Sequence, residues 1–536
     1  MDKYKTELPP AQGSLGDWLG SHARNYPDRL ALTFGGVAIN YGDLQHKVNQ
    51  CARTYLSYGI KKGDCVAMLC SPRPEAFISF LAAASLGVLW LGLNPRYQLP
   101  ELSYVVGDSN PLLLISIDHF EERAYASDID ALAATNPGIK ATVMMERRDQ
   151  GTSSFYDWID SGARGVSDAA LAAAKEGVDD GLPALLVYTS GSSGKPKGVL
   201  LRHRELIRRS RTQNERFPCS TYPRLINPLP VNHIGSMHFL GLYTFIGAGT
   251  MQYSERFSAA EFVQALQSGS INIFIGLPTL FKMIVDQPGF SKDLLGRLEW
   301  FVFSGAAMAP ELLEMIKSSG CPAGLTFGMT ETCGSVTYSD PGADLETLAN
   351  TIGRPVPEGE VRVADEYGKP CPPDVLGELQ VRAEFCMAGY LNRAQATADA
   401  FTADGWLHTG DTAILRADGN IRFVGRRSEM YKSGGYNVYP REVELALETH
   451  EAVVLSAVVS VPDALFDEVG WAYLVPPPGK QLSEKQAQEW CKSQLANYKV
   501  PKRFIICDEL PLLPIGKVDK VKLKQQAMAE KSAIAA

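Results

Sequence analysis

Tyr188-Thr189-Ser190-Gly191-Ser192-Ser193-Gly194-Lys195-Pro196-Lys197-Gly198-Val199 follows directly on the apolar run 184–187. Three glycines, four small hydroxyls and two lysines crowd into what must be a single turn. Such a loop turns successive backbone N–H groups inward and adds hydroxyl donors and positive charge, which suits a polyphosphate. A Ser/Gly stretch alone would equally be a mobile surface loop. The lysines and the preceding buried strand favour the anion site. Two familiar nucleotide loops are excluded. Pro196 stands after Gly194-Lys195 where a Ser or Thr would hold Mg²⁺, and Thr189 stands where the first glycine would be. Gly247-Ala248-Gly249 runs on to Gln252 where a dinucleotide fingerprint needs Gly or Ala.

Outward from the loop, the chain has 536 residues, 45% hydrophobic and 21% charged. It is long enough for several folding units and too apolar for a disordered chain. Lys plus Arg is 52 against 60 for Asp plus Glu, a net charge of −8, so nucleic acid is a poor partner. The ten cysteines show no Cys-x-x-Cys spacing, which fits reduced thiols and a cytosolic compartment better than disulfides or zinc. The N-terminus has no apolar signal core. The uncharged run 76–93 reaches transmembrane length, but Ser79, Ser85, Gly87 and Gly92 inside it favour a buried helix followed by a short strand. No integral membrane segment is expected.

Strand and helix patterns alternate over most of the chain. Strands are expected at 65–70, 112–116, 184–188 and 271–275, and helices at 51–58, 76–86, 261–268 and 311–318. The alternation predicts an α/β architecture with largely parallel sheets. Segment 147–181 is polar and rich in Gly, Ser, Asp and Ala, and reads as a surface excursion. Beyond about residue 425 a small α+β unit is expected. Pro440 opens a helix, 453–461 and 471–475 are strands, 484–495 is helical, and 504–507 is the last strand.

Further motifs stand in order along the chain: Phe327-Gly328-Met329-Thr330-Glu331, Trp406-Leu407-His408-Thr409-Gly410-Asp411, and Gly425-Arg426-Arg427-Ser428-Glu429, continued by Lys432, Ser433, Gly434-Gly435, Asn437 and Pro440. Pro511 through Gly516-Lys517 closes the series. Taken singly they are ambiguous. Thr330-Glu331 also reads as a helix start, Asp411 as a turn residue, Arg426 as half of a surface ion pair, and Lys517 as a solvated lysine. In this order, with the loop before them, the motifs resemble those of adenylate-forming enzymes: acyl-CoA synthetases, peptide-synthetase adenylation domains and luciferases. The resemblance spans about residues 15–524.

That resemblance implies a large N-terminal domain (1–427) of α/β layers with mostly parallel sheets plus a β-barrel-like subdomain, and a small mobile α+β domain (428–536). It implies activation of a carboxylate by ATP to an acyl-adenylate and pyrophosphate, then transfer to a thiol. Thr189 to Lys197 would hold the β- and γ-phosphates. Thr330 would donate to the α-phosphate, and Glu331 is a hard oxygen ligand suited to Mg²⁺. Phe327, Gly328 and Met329 would face adenine, with Phe327 in place of the usual Tyr. Asp411 would accept the ribose hydroxyls and Arg426 would contact ribose or phosphate. Lys432 and Asn437 match positions that contact the adenylate in aryl-CoA ligases. Lys517 would neutralise the incoming carboxylate and the α-phosphate. The small domain would turn about Ser428, where the family usually has Asp or Lys. Lys517 would then leave, and Ser433, Gly434 and Gly435 would arrive to guide a thiol; glycine admits a thin pantetheine arm.

The stretch Pro230-Val231-Asn232-His233-Ile234-Gly235 holds no acid, where amino-acid-activating relatives place an Asp for the substrate ammonium. An α-amino acid is thus disfavoured. His233 resembles the gating aromatic of aryl- and acyl-CoA synthetases; a core histidine is the alternative. His233, Ile234, Gly235, Gly305, Ala306, Gly328, Cys333, Gly334 and Ser335 are the expected pocket wall, with Gly305 and Ala306 also bordering the nucleotide. They leave room for a hydrophobic acid. No carrier segment follows Lys524, so free coenzyme A is the expected acceptor. Alternatives are an acyl-AMP ligase loading a separate acyl carrier protein, a nucleotide-binding protein without turnover, and, on fold alone, an oxygenase. The oligomeric state is left open, a homodimer included.

Overall fold

The computed structural model describes residues 13–146, 153–189, 195–477, 479–513 and 516–535. The ambiguous apolar run resolves into the helix Pro74–Ser85, with every residue buried, and the strand Leu89–Leu93. Pro74 opens the helix and Gly87, at φ 66°, follows its C-cap. No helix among the described residues is long and apolar enough to cross a membrane.

That strand lies inside a seven-stranded sheet. Pro183–Thr189, Leu89–Leu93, Cys65–Leu69, Leu113–Ile117 and Ala141–Met145 run parallel, side by side. Lys197–Arg202 adds antiparallel to Pro183–Thr189, and the two-residue strand Gly389–Tyr390 closes the edge. Thr189 and Lys197 are directly opposed, so the strands on either side of the Ser/Gly/Lys stretch pair as a hairpin. Its residues Ser190, Gly191, Ser192, Ser193 and Gly194 lie outside the described residues.

A second sheet places Ile273–Gly276, Trp300–Ser304 and Ala323–Met329 in parallel, then Gly334–Tyr338 and Arg354–Pro355 antiparallel. Gly305-Ala306 and Thr330-Glu331 follow the carboxyl ends of two parallel strands, where open α/β sheets bind ligands. The part expected to be barrel-like is a four-stranded antiparallel sheet of Glu360–Ala364, Leu376–Arg382, Leu407–Leu415 and Ile421–Arg426. Another sheet pairs Leu30–Phe34 and Val37–Asn40 with Arg224–Asn227 and Thr250–Tyr253.

The smaller C-terminal domain has its own apolar cores. Val443, Leu447, Val458, Leu474 and Phe504 form one, and Val459, Val461, Trp471, Leu523 and Ala527 form the other. Its strands Leu455–Asp463 and Asp467–Val475 pair antiparallel along their whole length.

One expectation needs correction. Segment 147–181 is not simply a surface excursion: helices Phe155–Ala163 and Asp168–Lys175 occupy it. Phe155 and Ile159 are fully buried, and Thr54 Oγ1 donates to the Ile159 carbonyl at 3.0 Å. Gly162 is needed there, since a Cβ would stand 2.5 Å from Thr54 Cγ2. The C-terminal domain also holds an element that the sequence pattern does not announce. After its last strand, Arg503–Ile506, helix Lys520–Ala535 places Leu523 and Ala527, one turn apart, in the second core.

Candidate active site

A cleft of about 3920 Å³ runs between the carboxyl ends of the N-terminal strands and the C-terminal domain. It gathers Thr189, Lys195, Lys197, His233, Ile234, Gly305, Ala306, Phe327, Gly328, Met329, Thr330, Glu331, Asp411, Arg426, Ser428, Asn437 and Lys517.

At the end marked by the hairpin, Thr330 and Glu331 sit in a one-turn 3₁₀ helix after the strand Ala323–Met329. Both are 8% exposed. Gly328 passes so close to Gly334 that a Cβ would meet its carbonyl oxygen. Glu331 Oε1 accepts from the Tyr390 hydroxyl at 2.9 Å. Lys197 Nζ lies 4.6 Å from the centre of the Tyr390 ring, and Lys195 Nζ 5.8 Å from that of Tyr104. The hairpin is braced from outside. Tyr188 donates to Asp108 at 2.8 Å, Arg393 binds the other Asp108 oxygen at 2.7 Å, and Tyr104 donates to the Pro196 carbonyl at 2.8 Å.

In the antiparallel sheet Asp411 and Arg426 are directly opposed. Arg426 Nε is 2.9 Å from Asp411 Oδ1, yet neither carboxylate oxygen has a hydrogen-bond partner although the residue is 1% exposed. Burial pushes Asp411 up to about 6; Arg426 and Lys517 pull it down, and Glu429 and Glu331 push it up. Lys517 enters from the opposite side: a Cβ on Gly305 would stand 3.0 Å from its Cε. The residue is exposed to the cleft, with protein crowded around its ammonium. That crowding, and then Arg426, lower its pKa, while Asp411 and Glu429 oppose the shift. Thr279 Oγ1 donates to the Gly516 carbonyl at 3.0 Å and so docks the lysine's turn on the N-terminal domain.

On the acid side, His233 Nδ1 accepts from the Gly235 N–H at 3.0 Å, which leaves the ring proton on Nε2. Burial, and secondarily Lys517, lower its pKa to about 4, so the ring is neutral at physiological pH. A wide π-helical segment, Gly235–Leu242, follows it. Gly235, Cys333, Gly334 and Ser335 do not reach the cleft surface. Cys333 is fully buried, and Gly334 is packed on the His238 ring. Lys432, Gly434 and Gly435 are exposed outside the cleft, and Ser433 is buried in a strand.

The profile of the AMP-binding enzyme family matches residues 19–391, and that of the AMP-binding enzyme C-terminal domain matches 442–517. The chain belongs to the AMP-binding enzyme family. Feruloyl-CoA synthase of Amycolatopsis is 30% identical over 512 residues, covering 96% of this chain and 99% of the relative. Indoleacetate–CoA ligase of Aromatoleum aromaticum is 30% identical over 512 residues, covering 95% and 98%. The o-succinylbenzoate coenzyme A synthetase of Bacillus subtilis, in complex with ATP and magnesium ion, superposes with a TM-score of 0.79, 26% identity and coverage of 95% and 98%.

This AMP-binding enzyme is an acid–CoA ligase of the AMP-forming type, and its cofactors are ATP, Mg²⁺ and coenzyme A. The residues fit them. Asp411 offers two buried acceptor oxygens that two ribose hydroxyls would satisfy. Glu331 has one oxygen engaged by Tyr390 and a second for a metal. Mg²⁺ in nucleotide sites is held by one or two carboxylates together with the phosphates. Reading the sequence missed Tyr390, Asp108, Tyr104 and Thr279. None stands in a motif with a chemical signature of its own; only the pairing of distant strands and helices brings them here.

Proposed function

We propose that the enzyme adenylates a hydrophobic carboxylic acid in the cleft and passes the acyl group to free coenzyme A. The observation that carries this reading is the buried Asp411 carboxylate, ion-paired with Arg426 and close to Lys517 but with no hydrogen bond to either oxygen. In the first step the acid's oxygen attacks the α-phosphorus and the bond to pyrophosphate breaks. Arg426 and Lys517 hold positive charge where two anions must meet. In this reading Thr330, in the same cleft, supplies a hydroxyl donor to the α-phosphate, and Lys195 and Lys197 take the outer phosphates. Mg²⁺, when bound, neutralises phosphate charge at Glu331. In the second step the thiol sulfur attacks the acyl carbon, AMP leaves, and the thiol proton goes to solvent.

Leu277 packs beside Gly305 in the cleft, and the stretch 230–235 around His233 holds no acid to pair an ammonium. This supports a hydrophobic acid over an amino acid. Residues 1–427 form the adenylating unit in this reading and 428–536 the mobile one, turning at Ser428. Lys517 in the cleft with Gly434 and Gly435 outside it is the arrangement suited to the first step. Rotation would exchange them, moving Lys432 and Asn437 with the same unit. All ten cysteines are free, which supports a reducing cytoplasm.

Pyrophosphate release from Mg-ATP, measured with aliphatic, alicyclic and aromatic acids with and without coenzyme A, tests the proposal. Acid-dependent release with thioester only when coenzyme A is present is expected. Release without thioester, with acyl transfer to a supplied carrier protein, would overturn the acceptor. No release across the panel would overturn the acid class.

A further inference from the structure

Glu331, in the 3₁₀ turn after one sheet's strand, and Lys197, in a strand of another sheet, are 134 positions apart, yet one side chain touches both. Tyr390 donates to Glu331 Oε1 at 2.9 Å, and its ring carries Lys197 Nζ at 4.6 Å from the centroid. We propose that Tyr390 is a positioning residue that fixes Glu331 and Lys197 relative to one another and so sets the geometry of the magnesium–nucleotide site. This rests on the reading of Glu331 as the Mg²⁺ ligand.

The backbone around Tyr390 is held as if for this purpose. Tyr390 is paired with Val199, and the Leu391 N–H donates to the Gly198 carbonyl at 2.7 Å, so the tyrosine moves with the lysine's strand. The Tyr390 N–H donates to Thr397 Oγ1 at 2.8 Å. Gly389 precedes it at φ 142°, where a Cβ would crowd Thr397. On the other side the Met387 N–H donates to the Glu331 carbonyl at 2.8 Å. Glu331 is therefore pinned through its main chain and its side chain by the same short segment. The hydroxyl donates to Oε1, which leaves Oε2 for the cation. The ring face, meanwhile, partly compensates the ammonium before any phosphate arrives.

Tyr390→Phe in the full-length enzyme deletes the hydroxyl and keeps the ring. Calorimetric affinity for Mg-ATP should fall about tenfold, the usual range for a hydrogen bond to a charged group. The Mg²⁺ concentration for half-maximal pyrophosphate release should rise by a similar factor, and excess Mg²⁺ should restore the rate. ATP affinity without Mg²⁺ and the melting temperature should stay unchanged. Tyr390→Leu removes the ring as well and should weaken ATP binding without Mg²⁺ about threefold. An unchanged Mg²⁺ dependence in Tyr390→Phe, or a loss that excess Mg²⁺ does not rescue, would overturn the proposal. Glu331→Gln separates the two readings: if it too leaves the Mg²⁺ dependence unchanged, the metal assignment of Glu331 fails and the positioning role falls with it.

Discussion

Lys517 and Lys520 stand close together in sequence and meet opposite surroundings. Lys520 Nζ lies 2.6 Å from Glu429 and 2.8 Å from Glu444, and Glu444 is also approached by Arg441 at 3.3 Å and accepts from the Val458 N–H at 2.9 Å. Burial is the largest single influence and would lower Lys520 and raise Glu444, but their mutual attraction, Glu429 on the lysine, Arg441 on the acid and the hydrogen bonds between them together outweigh it: Lys520 is raised and Glu444 lowered. Around Lys517 burial wins. The lysine is pushed down, and Asp411, the acid it shares with Arg426, is pushed up. The first cluster satisfies its charges with protein groups and fixes the C-terminal domain. The second leaves them short of partners, and in the proposed function the nucleotide and the acid supply those partners.

The largest expected effect breaks the second cluster. Lys517→Ala should slow acid-dependent pyrophosphate release about a thousandfold, the scale of losing a transition-state charge partner. It should spare thioester formation from a supplied acyl-adenylate. Gly435→Trp should do the reverse, because in the proposed rotation an indole there would fill the thiol's path. Gly435 has φ 87° and open space around it, so the substitution strains only its own backbone. Both half-reactions measured on both variants decide the matter; equal loss of the two in Lys517→Ala would remove the distinction between the lysines.

The next effect compares the two buried acids. Glu444→Gln leaves Lys520 and Arg441 facing a neutral amide and should lower unfolding free energy by about 3 kcal/mol, as breaking a buried pair does. Asp411→Asn should leave stability equal or higher, since it removes a buried charge with no hydrogen bond of its own. It should weaken nucleoside binding about a hundredfold, the value of two hydrogen bonds to a carboxylate. Denaturant melts and adenosine titrations of both variants test this. Comparable destabilisation by the two substitutions would mean that Asp411 is structural.

Much of this contrast is legible in the sequence. The strand pair flanking the glycine-rich stretch and the Thr330-Glu331 step at a strand end follow from residue types in order, and the family resemblance points to Asp411, Arg426 and Lys517. What sequence does not supply is register. Asp411 and Arg426 face each other because an antiparallel pair aligns them, with a bulge between Thr412 and Ala413. Tyr390 reaches Glu331 because a two-residue edge strand joins the lysine hairpin. Helix Lys520–Ala535 gives little periodic signal because its buried stripe is narrow, Leu523 and Ala527 amid lysines and alanines.

The last contrast lies in the pH dependence, where the two acids should tilt stability in opposite directions. Asp411 has a folded pKa of about 6 against an ordinary 3.8, so the native state holds its proton more tightly than the unfolded chain. Its contribution is full below pH 3.8 and is lost as pH rises through about 6. Glu444 is lowered from 4.5, so its contribution is present above pH 4.5 and is lost as pH falls further. Relative to the parent, Asp411→Asn should therefore gain stability between about pH 4 and 6 and hold that gain above, up to about 3 kcal/mol. Glu444→Gln should close its deficit only below pH 4.5. Ribose hydroxyls donating to Asp411 favour the ionised form, so adenosine, which has no phosphate to titrate, should bind more weakly as pH falls through about 6. Its binding at that pH should release a proton, seen as a buffer-dependent heat that vanishes at about pH 8. A flat adenosine affinity from about pH 5 to 8 would show that Asp411 is already ionised without its ligand, and the two acids would then differ in position but not in kind.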